Sequence, residues 1–314
     1  MNTTNTPSNA VPKSGRDTQA IAAAATSSTR PLYWSVRREL WENRYVYVAP
    51  LAVAVLFLFG HLIGMIHLPA QMRQLSGVDS EKYREAILQP YDIAAAFMMG
   101  AYILVTLFYC SEALHGERRD RSILLWKSLP VSDLTTVMAK ASIPFVVLPL
   151  LTFAITLVLQ FLMLLMSSAV LLASGTSVAS VWTHLPVFQM SLLLLYHIMT
   201  AHALWPAPVY CWLLLVSGWA RRAAFLWAAL PVLAIAGVEK IAFHTQHFVT
   251  LIGRRLIGDT QLVAYTSPDI FPTDPMTHIT PAPFLLSPSL WIGLVVAVAF
   301  LAAAVRLRRH QGPV

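Results

Sequence analysis

Residues Glu112–Lys140, EALHGERRDRSILLWKSLPVSDLTTVMAK, are the one long charged insert between strongly apolar segments. Five of the chain's 22 Lys and Arg lie in it: Arg118, Arg119, Arg121, Lys127 and Lys140. Its middle, Ser122 to Leu129, reads as a short helix. Asp120 is placed to cap it, Ile123, Leu124, Trp126 and Leu129 give it apolar faces, and Pro130 stops it. Ser132 is placed to cap a second helix that runs on into the next apolar segment. A short helix held by caps and a proline between two spanning helices transmits a push to both.

Outward from the insert, the chain is apolar on both sides. Of its 314 residues, 57% are apolar and 12% charged, with a mean hydropathy of +0.62. A soluble domain carries about 25% charged residues. Apolar runs of about 20 residues are the signature of a membrane-spanning helix. The fold class that follows is an all-α membrane protein with six spans, at about 46–67, 93–111, 141–166, 187–217, 223–243 and 286–305. Each covers a hydrocarbon core of about 30 Å at about 1.5 Å per residue. Pro144, Pro149 and Pro206 fall inside spans, where a neighbouring group or water must take the carbonyls they free.

Residues 1–30 are rich in Thr, Ser, Asn and Ala and have no apolar period, the composition of a disordered tail. Residues 31–45 read as an interfacial amphipathic helix. Tyr33, Trp34, Val36, Leu40, Trp41 and Tyr45 share one arc, and Glu39, Glu42 and Asn43 lie opposite. Arg37 and Arg44 interrupt the apolar arc, so their heads snorkel to lipid phosphates. Trp34, Arg37, Arg38, Trp41 and Arg44 are the expected anchor set. Residues 46–310 then form one transmembrane domain, with the charged loop at 112–140 and a long segment at 244–283 on the other side.

Orientation follows from Lys and Arg. With both termini in the cytosol, sixteen of the 22 fall inside and six outside: Arg73, Lys82, Arg84, Lys240, Arg254 and Arg255. The same bias explains the net charge of +7. No basic-aromatic patch stands on a soluble domain, which sets nucleic acid aside as a partner.

Catalytic and metal motifs are thin. The nearest approach to a phosphate-binding loop, GRRLIGDT at Gly253–Thr260, has Asp259 where the lysine is required, and an acid there repels phosphate. The chain is therefore not expected to hydrolyse ATP by itself. Cys110 and Cys211 lie inside apolar runs without metal-ligand spacing and read as small hydrophobes. His61, His67, His197, His202, His244 and His247 leave open a haem or redox protein, although HExxH is absent. Glu239 and Lys240, at the end of span five, form an ionisable pair near the bilayer, a candidate outer gate. A self-contained secondary transporter is a further alternative, weakened by the scarcity of ionisable groups at mid-membrane.

The run ERRDRSILLWKSLPVSDLTTVMAK resembles the cytosolic loop of ABC-2-type transporter permease subunits. In that pattern an acidic-basic lead precedes a short helix, then Leu-Pro-Val-Ser, then a helix ending in Lys. Glu117, Ser122, Ile123, Leu129, Pro130, Val131, Ser132 and Lys140 fit it, and the layout of interfacial helix, six spans and charged second loop agrees. The resemblance implies a cytosolic coupling helix between spans two and three, docking on a separate ABC ATPase subunit that carries ATP-Mg. Glu117, Arg118, Arg119, Asp120, Ser122, Trp126, Lys127, Leu129 and Pro130 are then the coupling residues. It also implies a second permease copy or homologue, the bacterial inner membrane as location, no cofactor on this chain, and export as the direction.

Overall fold

The computed structural model describes residues 29–75, 80–120, 131–175, 178–179, 182, 185, 187–257 and 281–310. Among these the regular elements are all helical, and six helices are long and apolar enough to cross a membrane, the build of a multi-pass membrane protein. The expected coupling helix Ser122–Leu129, with its stop Pro130, and the N-terminal tail to residue 28 lie outside the described residues.

The first helix, α1 (Thr29–Glu42), ends at a break over Asn43 and Arg44, and α2 (Tyr45–Gly64) begins span one. A 3₁₀ turn at Met65–His67 joins it to α3 (Leu68–Leu75). The next helix, α4 (Ser80–Glu112), is 33 residues long, about 50 Å at 1.5 Å per residue. The stretch Ser80–Leu88 is therefore not a separate helix. It is the projecting end of span two, with Pro90 inside the continuous helix. After α5 (His115–Arg119), α6 (Asp133–Ser142) opens span three, with Ser132 as the cap: its Oγ accepts the Thr135 N–H at 3.1 Å. A π-helical turn, Ile143–Val147, connects α6 to α7 (Leu148–Ala173). Gly175, at φ +71°, closes α7 in the left-handed conformation that glycine adopts without a Cβ penalty.

Span four is divided. It comprises α8 (Val187–His197), a second π-helical stretch Ile198–Leu204, and α9 (Ala207–Trp219) after Pro206. Span five is α10 (Ala224–Phe243), followed by the amphipathic α11 (His247–Ile257) and the short α12 (Pro281–Leu286). Span six is α13 (Pro288–His310).

Span two is the central post, contacting spans one, three, four and five, while spans one and five are the most exposed. The closest seam is α9 along α13, where Ala207, Cys211 and Ala297 form a buried cluster. In lipid no hydrophobic force draws helices together, and small residues let backbones approach for dispersion contact. At the end of the bundle carrying α11, Arg255 lies over the Trp205 ring at 4.3 Å and donates to Ser289 O and Ser289 Oγ. Trp205 Nε1 donates in turn to Arg254 O at 2.8 Å. Gly293 makes room for this clamp, since a Cβ there would sit 2.8 Å from Arg255 Nη1.

Candidate functional site: a buried ion network

The described parts of the charged insert pack onto the bundle. The insert's two described flanks, α5 and α6, fold back against α1 and the end of α13 and enclose a network of charges. Glu39 is 1% exposed and Lys140 2%, burial that ionised groups tolerate only when paired. Lys140 Nζ bridges Glu39 Oε1 at 2.8 Å and Glu117 Oε1 at 3.2 Å. Arg38 Nη2 reaches the same two carboxylates, at 3.0 Å and 2.7 Å. Arg308, on the last span, donates Nη1 to Glu117 Oε2 at 2.5 Å and sets Nε 3.2 Å from Asp133 Oδ1. The second Glu39 oxygen accepts the Tyr109 hydroxyl at 3.0 Å. The cations Arg38, Lys140 and Arg308 thus face the acids Glu39, Glu117 and Asp133, and the core of the network balances.

Local sequence explains how each group arrives. In α1 the polar arc that holds Glu39 turns into the bundle, and Trp34 and Trp41 face outward at 58% and 68% exposed. Arg37 stacks between them, its guanidinium 5.3 Å and 5.1 Å from the two rings. Arg37 and Arg44 are exposed as well. Arg38 parts from the expected anchor set: Glu39, Glu42 and Glu117 all lie within ion-pair distance, so its head turns inward. Partial burial raises the Glu42 carboxyl above the usual range, with Arg38 pulling it back down.

The expected coupling residues divide in the same way. Glu117 and Arg118 are 6% and 7% exposed, inside the fold rather than on a docking surface. Arg118 Nη1 donates to Gly218 O at 2.6 Å and Ala220 O at 3.2 Å, and His115 Nδ1 lies 3.1 Å from Ala220 O. A buried cation there satisfies the last carbonyls of α9 and meets the negative end of its dipole. Arg118→Ala is expected to cost about 1.5–3 kcal/mol, the worth of charged hydrogen bonds. Thermal unfolding of the purified protein in detergent measures it, with Arg118→Lys recovering part of the loss. Arg119 and Asp120 stay exposed and pair with each other at 3.3 Å. Ser122, Trp126, Lys127, Leu129 and Pro130 lie outside the described residues.

A surface cavity of about 790 Å³ opens beside the network, between the α1–α2 junction and the end of α4, lined in part by Glu42, Tyr45, Phe108, Glu112 and Asp120. Glu117 and Lys140 reach its floor, which gives the network one open flank.

Several of the remaining candidate groups have partners within the bundle. Glu239 accepts Thr245 Oγ1 at 2.8 Å and the backbone N–H groups of His247 and Phe248 at 2.7 Å and 2.9 Å. It caps α11 from the preceding helix, a structural duty that accounts for an acid at that depth. Lys240 is exposed beside it. His61 Nε2 lies 3.3 Å from Ser167 Oγ, His197 Nδ1 2.9 Å from Leu193 O, and His202 Nε2 3.2 Å from Met99 Sδ. Among the described residues no group of three or more His, Cys, Asp and Glu is gathered as a metal site.

Glu39, Asp133, Tyr109 and Arg308 were not singled out by sequence reasoning. One signal was present: Lys140 in VMAKAS is a cation at the start of a span, and such a residue requires a partner. No protein-family model matches the chain, and neither the curated proteins nor the solved structures contain a match.

Proposed function

We propose that this chain is the membrane-spanning permease subunit of an ABC-2-type transporter. In this reading it sits in a bacterial cytoplasmic membrane with both termini in the cytosol, pairs with a second permease copy or homologue, and exports its cargo. Energy comes from a separate ATPase subunit that carries ATP-Mg and docks on the loop between spans two and three.

Two features support the reading. One is the resemblance of the loop sequence. The other, which carries the mechanical argument, is how the flanks of that loop are tied down. Glu117 before it and Asp133 and Lys140 after it are bonded to Arg308 on span six and to Arg38 and Glu39 on α1. A load applied at residues 121–130 therefore reaches spans two, three and six together. Ionic ties suit this duty because each is directional and short, whereas an apolar contact slides.

The test is affinity purification of the full chain from its native membrane, with identification of whatever accompanies it. An ATP-binding subunit is expected with the wild type. Trp126→Ala combined with Leu129→Ala removes two of the loop's large apolar side chains and should reduce its recovery about tenfold or more. Absence of any ATP-binding subunit, or recovery indifferent to the double substitution, overturns the reading.

A further inference from the structure

Spans three and four each contain a π-helical stretch, Ile143–Val147 and Ile198–Leu204, and the two stretches pack against each other. In each, a backbone N–H bonds five residues back: Leu148 N to Ile143 O, and Trp205 N to Thr200 O. Prolines leave a gap beside both. In the π register Pro149 would bond Pro144 O but has no N–H, and in the α register Pro206 would bond His202 O and likewise lacks one. Both orphaned carbonyls are taken by buried tyrosines. Tyr102 Oη donates to Pro144 O at 2.8 Å and Tyr210 Oη to His202 O at 3.0 Å. Both tyrosines are 0% exposed.

The first π turn follows directly on α6, the helix that carries Asp133 and Lys140 into the ion network. A π turn holds one residue more than the α register accommodates. Returning it to α-helix rotates everything on one side by about 100° and moves it about 1.5 Å along the axis. With α7 held between spans one and two, the part that turns is α6, and Lys140 leaves Glu39 and Glu117. The second π stretch is held at its far end by the Trp205–Arg255 clamp and meets the first directly, with the Tyr102 ring 6.4 Å from that of His202, so the two stretches share one set of constraints.

We propose that the paired π turns are a two-state register joint, latched by Tyr102 and Tyr210, which sets whether α6 presents Lys140 to the ion network. The joint rests on helix geometry alone and goes beyond the transport reading: it stands or fails whatever the chain carries.

The experiment places spin labels at Leu134 and Val158, both exposed and on either side of the joint, in the full chain in lipid nanodiscs. Cys110 and Cys211 are buried and out of reach of the label. Pulsed electron paramagnetic resonance reads the distance across 24 residues, about 36 Å along a helix. The wild type should be dominated by one distance. Tyr102→Phe with Tyr210→Phe should raise the ratio of a second distance to the first at least about fivefold, the equilibrium worth of one hydrogen bond. Deleting Val146 removes the extra residue, so the α register then preserves the original α6–α7 relation and should give the first distance alone. A single distance common to wild type and the folded double-Phe variant overturns the joint, and so do two distances whose ratio ignores both tyrosines. The double-Phe comparison decides the matter even if the deletion does not fold.

Discussion

Glu117→Gln should lower the stability of the folded protein by about 3–5 kcal/mol, the cost of removing one partner from a buried ion cluster. Glu117 holds Arg38 at 2.7 Å, Lys140 at 3.2 Å and Arg308 at 2.5 Å. With a neutral amide, Arg38, Lys140 and Arg308 keep Glu39 as their buried carboxylate, with Asp133 and Glu42 at the more exposed edge of the network. The buried cations Lys140 and Arg308 then lie against a neutral group, at a position 6% exposed. The damage extends beyond one helix, because the glutamate ties α1, α6 and the last span to the end of span two. Heating the purified protein in detergent and measuring the folded fraction by size-exclusion chromatography gives the shift. Glu112→Gln is the control: its side chain is 50% exposed and its ion-pair partner among the described residues, Arg119, is 3.6 Å away, so it should cost less than about 1 kcal/mol. Equal shifts for Glu117→Gln and Glu112→Gln would sink the network as a structural element.

The second large effect concerns Lys140, and here a pair of changes separates charge balance from packing. Lys140→Met keeps an unbranched side chain of similar length but leaves Glu39, Glu117 and Asp133 against Arg38 and Arg308, an uncompensated buried negative charge. A loss of about 3–5 kcal/mol is expected. Adding Glu39→Gln in the same chain restores balance, with Glu117 and Asp133 facing Arg38 and Arg308. The double variant should therefore be more stable than Lys140→Met alone, whereas two independent losses would make it less stable. Simple addition of the two single losses would show that Lys140 matters for its stem and not for its charge. The same four proteins, measured for co-purification of an ATP-binding subunit, also ask whether the ionic ties serve coupling as well as folding.

The expectations that held were those in which a residue's effect is local or set by the solvent. Apolar runs specify spans because each must cross the same thickness of hydrocarbon. Ser132 was readable as a cap because the pairing it makes lies three residues away. Pro149 and Pro206 announced freed carbonyls, and neighbours do take them. Which neighbours was not readable: Tyr102 sits 42 residues before Pro144. Glu239 looked like a charge in search of a pathway because its partners, the first N–H groups of α11, exist only after the chain has turned at residues 244–246.

The insert Glu112–Lys140 shows the division most sharply. By itself the sequence determined that this stretch is charged, that it separates two spanning helices and that a capped helix follows it, because composition, period and capping act within a few residues. Only the tertiary structure decided which of its charges face inward. Lys140 meets Glu39 across 101 residues and Arg308 meets Glu117 across 191. A desolvated ion accepts a partner from anywhere in the chain, so the choice belongs to packing, and the charged arc of α1 that could have faced water closes the network instead.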